Sequence, residues 1–295
     1  MNVIVAAISF GLVSGAILSV SAIGFTLQFG MTNILNLAYG SVMTLGALIT
    51  YLIGKMGYSQ WLGAAAGTVG AGILSLALGR TLIKAFARRG SRVFEMAMVT
   101  VAASLVIDYA LASITHSNIL QFNFPTGREH RLLGMAFSTT ELIIMGIVIV
   151  AVAALEFALH WTRMGVALRA TAANPALARA SGINSTQIVN ITWVVSGCFA
   201  GLGGVTLALS YSSVSFTIGT SYLPYILAVV VLAGIGSIGY AVLIAIALSV
   251  VIQIAGALGA ANYDVAIALC LLLVTLLIRP QGLFGQLFDK QEIVA

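Results

Sequence analysis

Residues Trp161–Gly204 read W-T-R-M-G-V-A-L-R-A-T-A-A-N-P-A-L-A-R-A-S-G-I-N-S-T-Q-I-V-N-I-T-W-V-V-S-G-C-F-A-G-L-G-G. A polar, arginine-bearing stretch sits here between two long apolar segments, and it has an ordered internal grammar. Arg163, Arg169 and Arg179 make it positive. Asn174 suits an N-cap and Pro175 the first helical position, while Gly182, about two turns later, can close a short helix in the left-handed conformation. The spacing predicts a folded knob, with the loop placed at 161–187. Such a knob suits docking; a merely well-capped loop carrying orienting charge is the plainer reading.

Working outward, the apolar flanks set the class. The 295 residues are 60% hydrophobic and only 7% charged, with a mean hydropathy of +1.10. A soluble domain carries about a quarter charged residues, so most of this surface faces lipid or other helices. The net charge of +5 would suggest nucleic acid in a soluble protein. Here the basic residues cluster in loops between apolar runs, as membrane orientation requires, and no nucleic-acid partner is expected. Cys198 and Cys270 both lie inside apolar segments, which argues against a disulfide, a metal site or a redox role.

A membrane span needs about 20 apolar residues. Segments fall near 3–24, 31–53, 61–79, 93–114, 141–160, 188–210, 222–258 and 263–279. No basic residue precedes the first run, so it reads as a retained span rather than a cleaved signal. The 222–258 run is too long for one straight span and is interrupted by G-I-G-S-I-G at Gly234–Gly239. It is either a re-entrant hairpin or two crossings. The expected fold is therefore all-α, a polytopic bundle of eight to nine membrane elements with broken or re-entrant segments, forming one integral membrane domain over 1–295.

Basic loops orient it. Arg80, Lys84, Arg88, Arg89 and Arg92 follow the third segment and Arg163, Arg169 and Arg179 the fifth, which places both loops in the cytoplasm and the 115–140 loop outside. Counting back puts the N-terminus outside. Small residues recur four apart, at Gly11 and Gly15, Gly63 and Gly67, Gly197 and Gly201, and Ala200 and Gly204. Such spacing lets helix backbones approach closely.

The second segment opens Q-F-G-M-T-N-I-L-N-L-A-Y-G, which puts Gln28, Asn33, Asn36 and Tyr39 in apolar surroundings. Asn33 and Asn36, three apart, would share a helix face. These groups either line a solute path or bind helices to one another. Gly30 and Gly40 bracket them, as in a broken transporter helix.

Other motifs lead elsewhere or nowhere. Gly234, Gly236 and Gly239 satisfy G-x-G-x-x-G, but the flanks are membrane-length and position 259 is Gly, so they read as a break between half-segments and not as a dinucleotide fingerprint. Ser237 lacks the preceding glycine of a nucleophile elbow. His116, His130 and His160 are scattered in loops without carboxylate or cysteine company, so no metal, cofactor or catalytic residue is expected. Ionisable residues within segments are Glu95, Asp108, Glu156 and, at a segment's start, Glu141. That supply is sparse for an ion-coupled carrier. The chain also has no phosphate-binding G-x-x-x-x-G-K-[ST], so energy must come from elsewhere.

Taken in order, Asn33–Gly40 followed by Leu45-Gly46-Ala47, Arg163-Met164-Gly165 with Leu168-Arg169-Ala170, Asn174-Pro175, Gly182-Ile183-Asn184, V-L-A-G-I-G-S-I-G at 231–239 and R-P-Q-G-L-F-G at 279–285 carry a resemblance. The chain resembles the LivH-type permease subunits of bacterial branched-chain amino acid ABC importers, within a wider group that includes urea and short-amide permeases. The resemblance implies a second, LivM-like permease subunit, two cytoplasmic ATPase subunits, an extracytoplasmic solute-binding protein, and residence in the bacterial inner membrane. It implies that the Asn174–Asn184 region, with Arg163, Arg169, Arg179 and Gly182, docks on an ATPase. It also implies that the second-segment motif lies near the translocation path. The chain departs from the family pattern after Ser237, where Ile238-Gly239-Tyr240 replaces the usual Pro-Gly; this bears on the solute more than on mechanism. The alternative is a stand-alone channel or ion-coupled carrier for urea or short amides. An intramembrane enzyme is disfavoured because no nucleophile–base pair is visible within the spans.

Overall fold

In a bilayer an apolar run must satisfy every backbone N–H and C=O internally, and a helix does so without partners. The computed structural model describes residues 3–88, 93–122, 127–132, 135–234, 237–279 and 282–283. Its first helices are α1 (Val3–Thr32), α2 (Tyr39–Lys55) and α3 (Gln60–Leu78), which continues through a π-turn at Gly79–Ile83 into α4 (Lys84–Arg88). Then come α5 (Val93–Thr115), strands β1 (Leu120–Gln121), β2 (Glu129–Leu132) and β3 (Met135–Ser138), and α6 (Thr139–Trp161). The polar stretch forms α7 (Arg163–Ala173) and α8 (Pro175–Ala180). The chain continues with α9 (Ser185–Tyr211), β4 (Ser213–Val214), α10 (Ile218–Ala233), α11 (Ile238–Ala255) and α12 (Asp264–Ile278).

Among the described residues, six helices are long and apolar enough to cross a membrane: Val3–Thr32, Gln60–Phe86, Phe94–Thr115, Thr139–Trp161, Ser185–Tyr211 and the kinked Ile238–Ile278. This count differs from the expected eight to nine for identifiable reasons. The first helix runs on to Thr32, and the break after it shortens the second segment to the 17 residues of α2. At 1.5 Å per residue α2 is about 26 Å long, short of the roughly 30 Å hydrocarbon core. The 222–258 run is divided at Gly234 into α10 and α11, and the long final run bends at Gly259, whose φ is +100°.

The described residues fall into two compact groups. In the group made of Leu27–Asn123 and Ala151–Leu223, helices α2, α3 and α9 pack together with their backbones almost touching. A methyl at Gly46 would stand 2.7 Å from the Gly201 Cα, and one at Gly67 would collide with the Gly46 carbonyl. The small-residue spacing of the sequence is used here, since dispersion and close approach replace the absent hydrophobic drive between lipid-bathed helices. Trp193 of α9 forms a buried cluster with Ile34 and Ile83. Pairing of β1 with β4, Leu120 opposite Val214, links the segment after α5 to the end of α9.

In the group made of Met1–Thr26, Phe124–Val150 and Pro224–Ala295, the first half of α1 packs on α11. Gly11 faces the Val250 backbone and Gly15 that of Ile246. Strands β2 and β3 form an antiparallel hairpin with His130 opposite Phe137. The tail folds back: the Leu283 N–H donates to the Leu232 carbonyl (2.9 Å), and Gly282 lies against Gly234. Residues far apart in sequence, Leu232 and Gly234 on one side and Gly282 and Leu283 on the other, thus meet at the end of α10.

Candidate functional site

The break between α1 and α2 is built by side chains that replace lost helix bonds. Asn33 takes a left-handed conformation, φ +53°, and ends α1. The Asn36 side-chain oxygen then accepts from the Ala38 N–H (3.2 Å) and its carbonyl from the Tyr39 N–H (3.2 Å), so Asn36 starts α2. Its Nδ2 donates to Oε1 of Gln28 (3.3 Å), which also accepts from the Ser196 hydroxyl of α9 (3.0 Å). The Ala38 N–H fixes which way the Asn36 amide points, and Asn36 in turn fixes Gln28. Gln28 Nε2 is left buried without a partner among the described residues. An unsatisfied buried donor is rare and calls for an explanation.

Gln28, Asn36 and Tyr39 are all buried, at 1–2% exposure. Asn33 is exposed, so the structure brings Gln28 and Asn36 together and leaves Asn33 apart. The shared helix face of Asn33 and Asn36 does not form, because the left-handed turn at Asn33 ends the helix before Asn36 is reached.

A second polar surface faces this break. On α5, Thr100, Ser104 and Asp108 recur every fourth residue and are buried, so they lie on one face of the helix. The Thr100 hydroxyl accepts from the Leu37 N–H (3.1 Å) and bonds the Leu35 carbonyl (3.1 Å). Ser104 and Ser41 share a 2.7 Å hydroxyl bond, and Thr220 of α10 donates to Asp108 Oδ2 (2.8 Å). In the sequence Asp108 is one of a few scattered ionisable residues, and Thr100 and Ser104 are two hydroxyls among many. The signal was the spacing: three polar residues four apart in a 23-residue apolar helix. Between Asn36, Thr100 and Trp193 lies a cavity of about 10 Å³. It has room for about one water and not for an organic solute.

The arginine-bearing stretch folds as its grammar predicts. Thr162 caps α7, accepting from the Gly165 N–H (3.3 Å). Asn174 caps α8, accepting from the N–H groups of Ala176 and Leu177 (3.0 Å each), and Asn184 caps α9 through the Gln187 N–H (3.2 Å). Gly182, φ +84°, provides the left-handed exit from α8. Gly165, Leu168, Thr171 and Ala178 point inward, while Arg163, Arg169, Asn174, Arg179, Gly182 and Asn184 are exposed. Arg169 donates to the Leu159 carbonyl, tying α7 to the end of α6. No ion pair among the described residues neutralises Arg163, Arg169 or Arg179. The knob presents uncompensated positive charge beside the exposed side chains of Met164, Val166 and Leu177.

At the third predicted feature, Gly234 has φ +89° and Ser237 closes the turn, its hydroxyl donating to the carbonyls of Gly234 (2.6 Å) and Ala233 (2.8 Å). Gly239 lies in the first turn of α11, and Gly236 lies outside the described residues. Among the described residues no three His, Cys, Asp or Glu side chains gather as metal ligands.

The sequence model of the family described as "Branched-chain amino acid transport system / permease component" matches residues 7–276. The chain is 26% identical over 294 residues to the high-affinity branched-chain amino acid transport system permease protein LivH of Salmonella typhimurium, with 94% of each chain covered. It is 27% identical over 292 residues to the permease protein BraD of the same kind of system in Pseudomonas aeruginosa, again over 94% of each. Over 229 residues, 73% of this chain and 65% of the other, it is 31% identical to the ribose import permease protein RbsC of Escherichia coli.

Proposed function

Because the chain belongs to the family of branched-chain amino acid transport permease components, we propose that it is the membrane permease subunit of a bacterial ATP-binding-cassette importer that passes branched-chain amino acids through the inner membrane. It hydrolyses no ATP itself. It works with a second LivM-like permease subunit, two cytoplasmic ATPase subunits and an extracytoplasmic solute-binding protein, and moves solute by alternating access.

The observation that carries this reading is the α7–α8 knob. Side-chain caps at the starts of α7, α8 and α9 and a left-handed glycine hold the knob rigid, while Arg163, Arg169 and Arg179 stay exposed with no ion pair among the described residues. Rigidity with uncompensated charge suits a lever pushed by a partner more than a passive connector. Arg163, Arg169, Asn174, Arg179, Gly182 and Asn184 form that coupling element. Gln28, Asn36 and Tyr39, with Asn33 at the mouth, line the path beside the polar face of α5. The cavity there is too small for an amino acid, so passage requires these helices to move apart. The glycine break, with Gly234 at φ +89° and Gly239 in the first turn of α11, is a joint between α10 and α11.

The test is a mild-detergent pull-down of the tagged chain from its native membrane, followed by reconstitution of what co-purifies. An ATPase, a paralogous permease, and leucine uptake that needs both ATP and the binding protein are expected. A homogeneous oligomer that takes up urea or a short amide without ATP would overturn the reading in favour of a channel or carrier.

A further inference from the structure

Asp108 sits seven residues before the end of α5, about 10 Å in from that terminus. It is 6% exposed, its Oδ2 accepts one hydrogen bond from Thr220, and its Oδ1 is buried with no partner among the described residues. No ion pair among those residues involves it. A carboxylate has about four lone-pair sites, and one is used. A carboxyl group held in a membrane interior normally faces a cation, a cavity or several donors.

The bond to Thr220 does not account for the carboxylate. Thr220 is already positioned by its neighbour: the Gly219 N–H donates to the Thr44 hydroxyl (3.1 Å), and Gly219 rests on the Gly40 carbonyl with no space for a side chain. Serine or asparagine at position 108 would serve a mere tie equally well. The hydroxyls of the preceding turn, Ser41 and Ser104, satisfy each other (2.7 Å) and offer no charge. The missing complement is a group that brings both positive charge and N–H donors. An α-amino acid carries one such group, its ammonium, and its carboxylate would be repelled from the same place, which fixes the direction in which the solute enters.

We propose that Asp108, seated beside Thr220, is the station that recognises the ammonium group of the solute on its way through the permease. The proposal rests on the importer reading above. With the 115–140 loop outside, Asp108 is met early by a solute arriving from the binding protein.

The experiment uses the complete importer, permeases and ATPases together, in proteoliposomes with leucine-loaded binding protein. Asp108→Asn keeps an acceptor for Thr220, removes the charge and turns the other oxygen into an N–H donor. It is expected to lower leucine uptake about ten- to hundredfold, the range for losing a hydrogen bond to a charged group, while binding-protein-stimulated ATP hydrolysis persists. Thr220→Val removes the bond and keeps the charge, and is expected to have the smaller effect. Wild-type uptake by Asp108→Asn overturns the proposal, as does a larger loss in Thr220→Val. Uptake that fails when sodium is replaced by choline overturns it in favour of an inorganic cation. If Asp108→Asn does not assemble, Asp108→Glu decides: it retains measurable uptake if charge is what matters, and an assembled but inactive Asp108→Glu refutes the station. If the wild-type importer moves ribose and no amino acid, the importer's solute class is wrong and the station falls with it.

Discussion

The α1–α2 break and the α7–α8 knob are made from the same parts and put to opposite use. Each joins two helices through an asparagine that accepts backbone N–H bonds, near a residue in the left-handed conformation: Asn36 with Asn33 in one, Asn174 with Gly182 in the other. In the knob the amides face water, so a cap lost there is replaced by solvent. In the break Asn36 is 2% exposed and its amide nitrogen donates to Gln28 Oε1. The same residue type is therefore a minor local stabiliser in one place and a structural requirement in the other. Stability should be concentrated in the break and coupling in the knob.

The largest effect that would break this contrast is expected from Asn36→Leu. It leaves the Ala38 N–H unpaired in a buried place and strips one donor from Gln28 Oε1. The loss should be about 2–4 kcal/mol, the sum of an orphaned donor and a lost side-chain bond. A markedly lower midpoint of thermal aggregation in detergent would register it. A wild-type midpoint would mean that the break holds without its cap.

Charge reversal in the knob should divide the two properties the other way. Arg179 is exposed, bonds no carboxylate among the described residues and lies in the last turn of α8. Arg179→Glu is expected to cost at most about 1 kcal/mol of stability. It should nonetheless reduce ATP-dependent uptake about tenfold or more, as charge reversal at a docking surface does. An unchanged uptake rate would remove the knob from the coupling path.

Caps rank next. Asn174→Ala should cost about 1 kcal/mol, and Gly182→Ala a similar amount, because φ +84° is strained for any residue with a Cβ even though open space surrounds it. Thermal midpoints should barely move for either, while the ratio of uptake to ATP hydrolysis falls severalfold. A fall in both activities together would point to lost assembly and not to a slack lever.

What could be read from the sequence follows the same division. The caps of α8 and the glycine break after α10 were legible because each is set by residues within about two turns of one another. The apolar run near 3–24 does not reveal that α1 continues to Thr32, because the chain turns only where Asn33 takes φ +53°. The polar face of α5 was not legible as a site: Thr100, Ser104 and Asp108 find their partners at Leu35 and Leu37, Ser41 and Thr220. Those partners lie tens of residues away, and nothing local announces them. One polar residue in an apolar helix is ambiguous between path and glue. The pairing across helices is what gives the three a common direction.

The smallest expected effect is the most informative about Asn33. It is exposed, with φ +53°, a conformation that asparagine and glycine both accept. Asn33→Gly therefore keeps the turn and deletes only the amide, so stability should stay within about 0.5 kcal/mol. If Asn33 stands at the mouth of the path, leucine uptake should fall about twofold, the loss of one solvent-shared hydrogen bond. The Asp108→Asn effect, at a different point of the same route, should add to it because the two sites share no partner. Unchanged uptake in Asn33→Gly would make Asn33 a turn residue alone and leave the lining of the path there to the buried pair, Gln28 and Asn36.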